Sequence, residues 1–416
     1  MKTKKNFSRM LFVLIAALML GIDCMPPEAE ENAPPLFPFG PEGPPRELHN
    51  VHGAGAQRSD PKTGNPADYA FGFGPQGDDI RIYNYARCVR GSSAPANDYT
   101  IVDTGVSTFY DNADTIGAPV SGADFYGQDA TYSGNAPDYT DNGDGTVTDN
   151  NTGLMWQKTP NSNVKVSYAD AVNGAATQTT GGYSDWRLPT VKELYSLMDF
   201  NGSSQSEIGY IDTTYFDFQF GNEAAGERLI DSQYWTATEY VGTVMDNRSA
   251  VFGVNFADGR IKGYPDSLPD GSRKLNFVRY VRGTAGYGIN DFTDNGDGTI
   301  SDNATGLMWM QADNGGAISW QGALAYCENL SFAGQSDWRL PDPKELHSIV
   351  DYTRAPDASD PDKQTAAIDP IFTVTETESY FWTGTTLLEA PPFLASGSHA
   401  VYIAFGRAMG FGPSFP

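Results

Sequence analysis

The chain has 416 residues, is rich in glycine, tyrosine and phenylalanine, and carries a formal charge of −25. Its length allows two or three domains with proper cores, and the lack of long helical periodicity points to short strands, many turns and few helices. The acidity argues against nucleic acid and anionic membrane surfaces as partners.

Lys2, Lys4, Lys5 and Arg9 precede an apolar run over 11–22, the pattern of a signal peptide spanning 1–23. The run is too short for a membrane span. Cys24 follows directly, as in bacterial lipoprotein signals, and is the expected lipidation site. Residues 24–45, rich in Pro, Gly and Glu, read as a lipid-anchored tether, the expected contact with the membrane. Only Cys88 and Cys327 remain, and in an exported chain such a pair is most simply a disulfide.

Residues 46–91 do not form a complete domain, and 80–91 reads as one strand. His49 and His52 lie close together, but no Cys or acidic cluster completes a metal site, so both are expected at the surface. Residues 92–137 are polar, with scattered Tyr and Gly, and read as an irregular connector.

Two repeats follow, over 138–283 and 291–416. Each opens with Asp-Asn-Gly-Asp-Gly (Asp141 and Asp144, Asp294 and Asp297) and continues through Thr-Gly-Leu-Met-Trp, ending at Trp156 and Trp309. Short helices are expected over 167–176 and 319–330. Each repeat then carries Ser-Asp-Trp-Arg-Leu-Pro, with Trp186 and Arg187 in the first copy and Trp338 and Arg339 in the second. Thr190 with Glu193, and Asp342 with Glu345, have the spacing of capping boxes, and Pro343 suits a first helical position. Strands are expected over 234–238, 250–256 and 275–283 in repeat one, and over 381–385 and 400–405 in repeat two.

Repeat two lacks a closing Val-Arg-x-Val-Arg-Gly strand. Ala86-Arg-Cys-Val-Arg-Gly91 matches Val278-Arg-Tyr-Val-Arg-Gly283, so residues 46–91 are expected to complete repeat two from the other end of the chain. Trp320, Ala323, Leu324 and Cys327 share one helix face, which turns Cys327 to the core. Repeat one has Ala175 and Tyr280 where the composite repeat has Cys327 and Cys88, which favours a Cys88–Cys327 bridge.

Asp141, Asp144, Asp149, Asp294, Asp297 and Asp302 invite a calcium reading, but the EF-hand register places Thr140 at the first ligand. Asn-Gly and Asp-Gly are also the turn residues of hairpins, which is the favoured reading. Arg187, Glu193, Arg339 and Glu345 could serve an anion or acid–base chemistry, but their spacing favours capping and turn roles. Six of the seven Trp pair between the repeats and read as core. An exposed aromatic could still stack on a sugar ring. No nucleophile–base spacing stands out, so no enzyme and no cofactor is expected.

The ordered set Asp-Asn-Gly-Asp-Gly-Thr, Thr-Gly-Leu-Met-Trp, Asp-Trp-Arg-Leu-Pro-x-x-Lys-Glu-Leu, Trp-Thr and Val-Arg-Gly resembles the bacterial Lcl C-terminal domain family, named after a collagen-like adhesin. More distantly, Arg187-Leu-Pro-Thr-Val-Lys-Glu193 resembles formylglycine-generating enzymes, whose fold is C-type-lectin-like and whose first-helix Cys bridges to the last strand. That resemblance implies an α+β fold of two tandem C-type-lectin-like modules, with short antiparallel strands, two short helices each and long loops. The paired catalytic cysteines of those enzymes and the lectin motifs Glu-Pro-Asn and Trp-Asn-Asp have no counterpart here. The family's namesake binds sulfated polysaccharides, a ligand that the acidity here argues against. The expected protein is an exported, lipid-anchored binding or adhesion protein of the bacterial outer membrane, cell surface or periplasm, with a carbohydrate or protein ligand. The alternatives are an envelope structural protein and, further off, an uncharacterised enzyme.

Overall fold

The computed structural model describes residues 46–413, apart from 75, 95–96, 246, 269, 284–285 and 390–394. The signal peptide over 1–23, Cys24 and the tether to residue 45 lie outside the described residues. Within them the fold is α+β, and every strand ladder is antiparallel.

Each repeat builds the same four-stranded sheet. In module one Tyr139–Asp141, Thr146–Asp149, Met155–Gln157 and Val281–Arg282 lie side by side in that order. In module two the order is Phe292–Asp294, Thr299–Asp302, Leu307–Met310 and then Val89–Arg90, from the other end of the chain. Val281 faces Trp156 in one sheet, and Val89 faces Trp309 in the other. The Cys88–Cys327 disulfide ties Val89–Arg90 to a helix of module two, with Cα atoms 5.5 Å apart and a sequence separation of 239. Closing so long a loop is worth on the order of 5 kcal/mol in the chain-entropy model.

A six-stranded sheet joins the two modules. Its order is Tyr380–Leu387, His399–Ala404, Gln57–Pro61, Arg260–Pro265, Ala250–Asn255 and Gln233–Glu239. Gln57–Pro61 pairs along its whole length with His399–Ala404 but meets module one only at Ile261. The strand order therefore reads the same outward from the middle, three strands to each module.

Among the described residues there are four short α-helices, α1 (Tyr168–Gly174), α2 (Val191–Tyr195), α3 (Trp320–Glu328) and α4 (Pro343–Ser348), and the repeated motifs run into α2 and α4. Each is capped by a side-chain oxygen, from Ser167, Thr190, Ser319 and Asp342. Both expected capping boxes form, and Pro343 opens α4. α2 and α4 meet across the pseudo-twofold relation between the modules. Lys192 Nζ donates to the Ser348 carbonyl (2.7 Å), and Lys344 Nζ donates to the Ser196 carbonyl (3.0 Å). Each cation thus answers the carbonyl end of the other module's helix, where positive charge is favoured. Between them the Tyr195 and His347 rings lie 4.6 Å apart.

Three expectations are corrected. Residues 80–91 are not one strand: Asp60 Oδ2 accepts the Arg81 and Ile82 amides (both 3.2 Å), Ile82 takes φ 65°, and only Val89–Arg90 joins a ladder. Residues 46–91 do more than supply that strand, because Gln57–Pro61 enters the shared sheet and Arg46–Asn50 pairs with Met409–Pro413. The two modules, successive in sequence, share that sheet. His52 is buried, 1% exposed, with Nε2 held 2.8 Å from Asp78 Oδ1. Burial pushes its pKa down to about 3.

Candidate functional site

The two Trp-Arg-Leu-Pro motifs have nearly identical geometry. Arg187 binds both oxygens of Glu193 (2.8 and 2.5 Å), and Arg339 binds both oxygens of Glu345 (2.5 and 2.6 Å). The same carboxylates accept the N-cap amides of Thr190 (2.8 Å) and Asp342 (3.0 Å). The motif aspartates hold the closing strands: Asp185 Oδ1 accepts Arg282 Nε and Asp337 Oδ1 accepts Arg90 Nε, both at 2.7 Å. Trp186 and Trp338 are buried, each donating its indole N–H to a carbonyl 3.2 Å away, on Thr180 and Phe332. The motif's charges are thereby committed to capping and strand docking.

The aspartate loops are hairpin turns with positive φ at Gly143, Gly145, Gly296 and Gly298. Asp141 and Asp294 accept the amides of Gly143 and Gly296, while Asp144 and Asp297 accept those of Thr146 and Thr299. Asp149 and Asp302 are buried and hold the next turn through the Asn151 and Ala304 amides. Among the described residues, no three His, Cys, Asp or Glu side chains gather in a way that could hold a metal ion.

A cleft of about 40 Å³, room for only a few waters, lies where the connector crosses module two. Its lining includes Asp103, Asp129, Tyr132, Arg339 and Glu345. Asp129 accepts hydroxyls from Thr104 (2.8 Å) and Thr385 (2.5 Å), and burial raises its pKa. The Tyr132 ring lies 5.2 Å from the Arg339 guanidinium, and its hydroxyl donates to Glu328. Asp129 also packs against Gly384, where an added Cβ would come within 3.1 Å of its backbone nitrogen.

Module one has the same elements without that cover. All eight residues of Tyr380–Leu387 are buried, whereas Gln233–Glu239 is open at Ala237 and Glu239 and half-open at Thr238. Arg187 is 30% exposed, against 11% for Arg339. One residue explains part of this contrast. The Val191 amide donates to Thr238 Oγ1 (3.0 Å), while Pro343 has no amide hydrogen, so Thr385 turns to Asp129 instead.

Sequence reasoning missed two sets of residues. Arg87 and Arg279 are fully buried, and each spreads its guanidinium over three backbone carbonyls. The duplicated Val-Arg/Ala-Arg pair was the available signal. Lys192 and Lys344, the shared Lys of the Lys-Glu-Leu motif, bridge the modules. All seven Trp are buried, and the exposed large aromatics among the described residues are Phe71 and Tyr83.

The Lcl C-terminal domain model matches residues 145–282 and again 298–412, more than half of the chain. The protein belongs to the Lcl C-terminal domain family and carries that domain twice. No curated protein and no solved structure matches it. The second match does not include Val89–Arg90, the strand that closes its sheet. Family membership suggests a bacterial surface or envelope protein. No helix among the described residues is long and apolar enough to cross a membrane.

Proposed function

We propose that this is an exported, lipid-anchored cell-envelope protein that binds a carbohydrate or protein ligand through two non-catalytic, lectin-like modules. The observation that carries this reading is the fate of the repeated motif. In both copies its Arg, Glu and Asp are tied to one another, to helix caps and to the closing strand. A catalytic carboxylate needs access to a substrate proton, and these carboxylates face their own chain. The cleft beside Arg339 is too small for a metabolite, which moves attention to outer faces. Two modules in one chain raise avidity for a repetitive ligand. The aspartate loops serve as turns, with calcium unnecessary for binding.

The test is a glycan and matrix-protein array with residues 25–416, run with and without a calcium chelator. Chelator-insensitive binding is expected. Binding lost with chelator would move the ligand site to the two aspartate loops, and silence would favour a structural role in the envelope.

A further inference from the structure

The pseudo-twofold relation makes each module a guide to the other, and their outer faces differ at one place. On module two, residues 125–132 lie across the edge strand Tyr380–Leu387: Asp129 bonds Thr385, Gly127–Asp129 packs on Gly384, and Tyr132 stacks on Arg339. Phe125 packs beside Trp320, with ring centroids 6.3 Å apart. An ammonium completes the arrangement. Lys62 Nζ stands 4.0 Å over the Trp320 ring and donates to Thr386 Oγ1 (2.8 Å).

The corresponding residues of module one are Tyr168 for Trp320, Arg187 for Arg339, Ala237 for Gly384, Thr238 for Thr385 and Glu239 for Thr386. Here Ala237 and Glu239 are exposed, and the Tyr168 hydroxyl lies 3.3 Å from Glu239 Oε1. The strand that delivers Lys62 ends in Pro61-Lys62, and its counterpart ends in Pro265-Asp266. Module one therefore keeps the aromatic ring, replaces a threonine with a carboxylate, and has Asp266 at the position from which module two sends Lys62.

We propose that this face of module one receives an extended segment of a partner protein, with a basic side chain lying over Tyr168 and pairing with Glu239. The segment's backbone passes Ala237 as residues 127–129 pass Gly384, held slightly farther out by the Ala237 methyl. The proposal rests on the binding reading above and narrows its ligand to protein. A cation over an aromatic face beside a carboxylate gains from both the ring and the charge. The chain's charge of −25 favours approach of a basic segment.

The experiment is a selection of random short peptides from a display library against residues 25–416. The selected peptides are then measured on Glu239→Lys and Ala237→Arg, two exposed positions whose variants should keep the wild-type thermal unfolding. Peptides sharing a Lys or Arg next to an aromatic residue, and weakened about tenfold or more by both substitutions, are expected. An empty selection, or peptides indifferent to both substitutions, overturns the proposal. So does a glycan whose binding is lost in both variants while no peptide is selected. Array binding that survives in both variants, with no peptide selected, would leave the binding reading standing and this face empty; silence in array and selection together would remove both.

Discussion

Module one and module two share a motif, a capping box, a buried arginine and a four-stranded sheet, yet they are assembled differently. Module one is continuous in sequence and open at the last three residues of its outer strand. Module two is closed by strands from the start of the chain, clamped by a disulfide and covered by its own connector. The same local code thus supports two kinds of wholeness, one achieved within a repeat and one only with help from distant segments. Module two should be more dependent on single long-range links, and the predictions test that asymmetry.

The largest effect is expected from Cys327→Ala, which removes the bridge and should cost on the order of 5 kcal/mol in chemical unfolding. Hydrogen exchange should show module two loosening first, and equal loosening in both would break the comparison. Acid comes next. All four histidines lie in module two or in the segment that completes it, and module one has none. His52 and His399 have pKa values pushed down to about 3 by burial, and burial also lowers His347. A depressed imidazole pKa means the folded state prefers the neutral ring. Its contribution is therefore complete above about pH 6.5 and is lost as pH falls toward 3, by up to about 1.4 kcal/mol per pH unit for each histidine. Unfolding midpoints between pH 7 and pH 4 should fall accordingly, with module two melting first. The buried carboxyls of Asp60 and Asp129, raised by burial to about 7 and about 6, act in the opposite direction over the same range. The decisive check is therefore the NMR titration of the imidazoles themselves: rings already protonated at pH 5 would show that they are not held neutral.

Arg87→Met and Arg279→Met should each cost roughly 3 kcal/mol or more, because each strips a charged donor from three carbonyls. Near-equal losses are expected, since this feature is shared. Arg339→Ala should cost about 2 kcal/mol and Arg187→Ala about 1, because water reaches Arg187 and can replace it beside Glu193. The reverse order would mean that the connector contributes little. The smallest change is Pro343→Val, expected within about 1 kcal/mol. It restores an amide that competes with Asp129 for Thr385, and should speed exchange in residues 125–132.

What was legible in the sequence was local. Thr190 with Glu193 and Asp342 with Glu345 announce their caps by spacing alone, and Gly143 and Gly145 announce a hairpin by the φ they must adopt. The link between Val89–Arg90 and module two was also visible, because a duplicated Val-Arg-Gly and two unmatched cysteines mark it. The shared sheet was not. Gln57–Pro61 is a short polar strand whose partners lie in two repeats, and nothing in its own pattern names them. The bend at Ile82 escaped for a similar reason, since it depends on a carboxylate at Asp60 more than twenty residues earlier. The candidate binding face was legible only as a difference, Ala237 against Gly384 and Glu239 against Thr386, which gains meaning once the cover on module two is known.

The stitching of module two has a mechanical side. Tension applied at residue 46 is borne first by the ladder between Arg46–Asn50 and Met409–Pro413, two segments from opposite ends of the chain. If that ladder yields, the pull reaches Gln57–Pro61 and then stops at Cys88, where the load passes through a covalent bond to Cys327. Beyond that point force from the N-terminal side cannot unravel the chain residue by residue; it must drag on α3 and the core of module two as a block. A body hauled by its leading end is in this way anchored at its own far side.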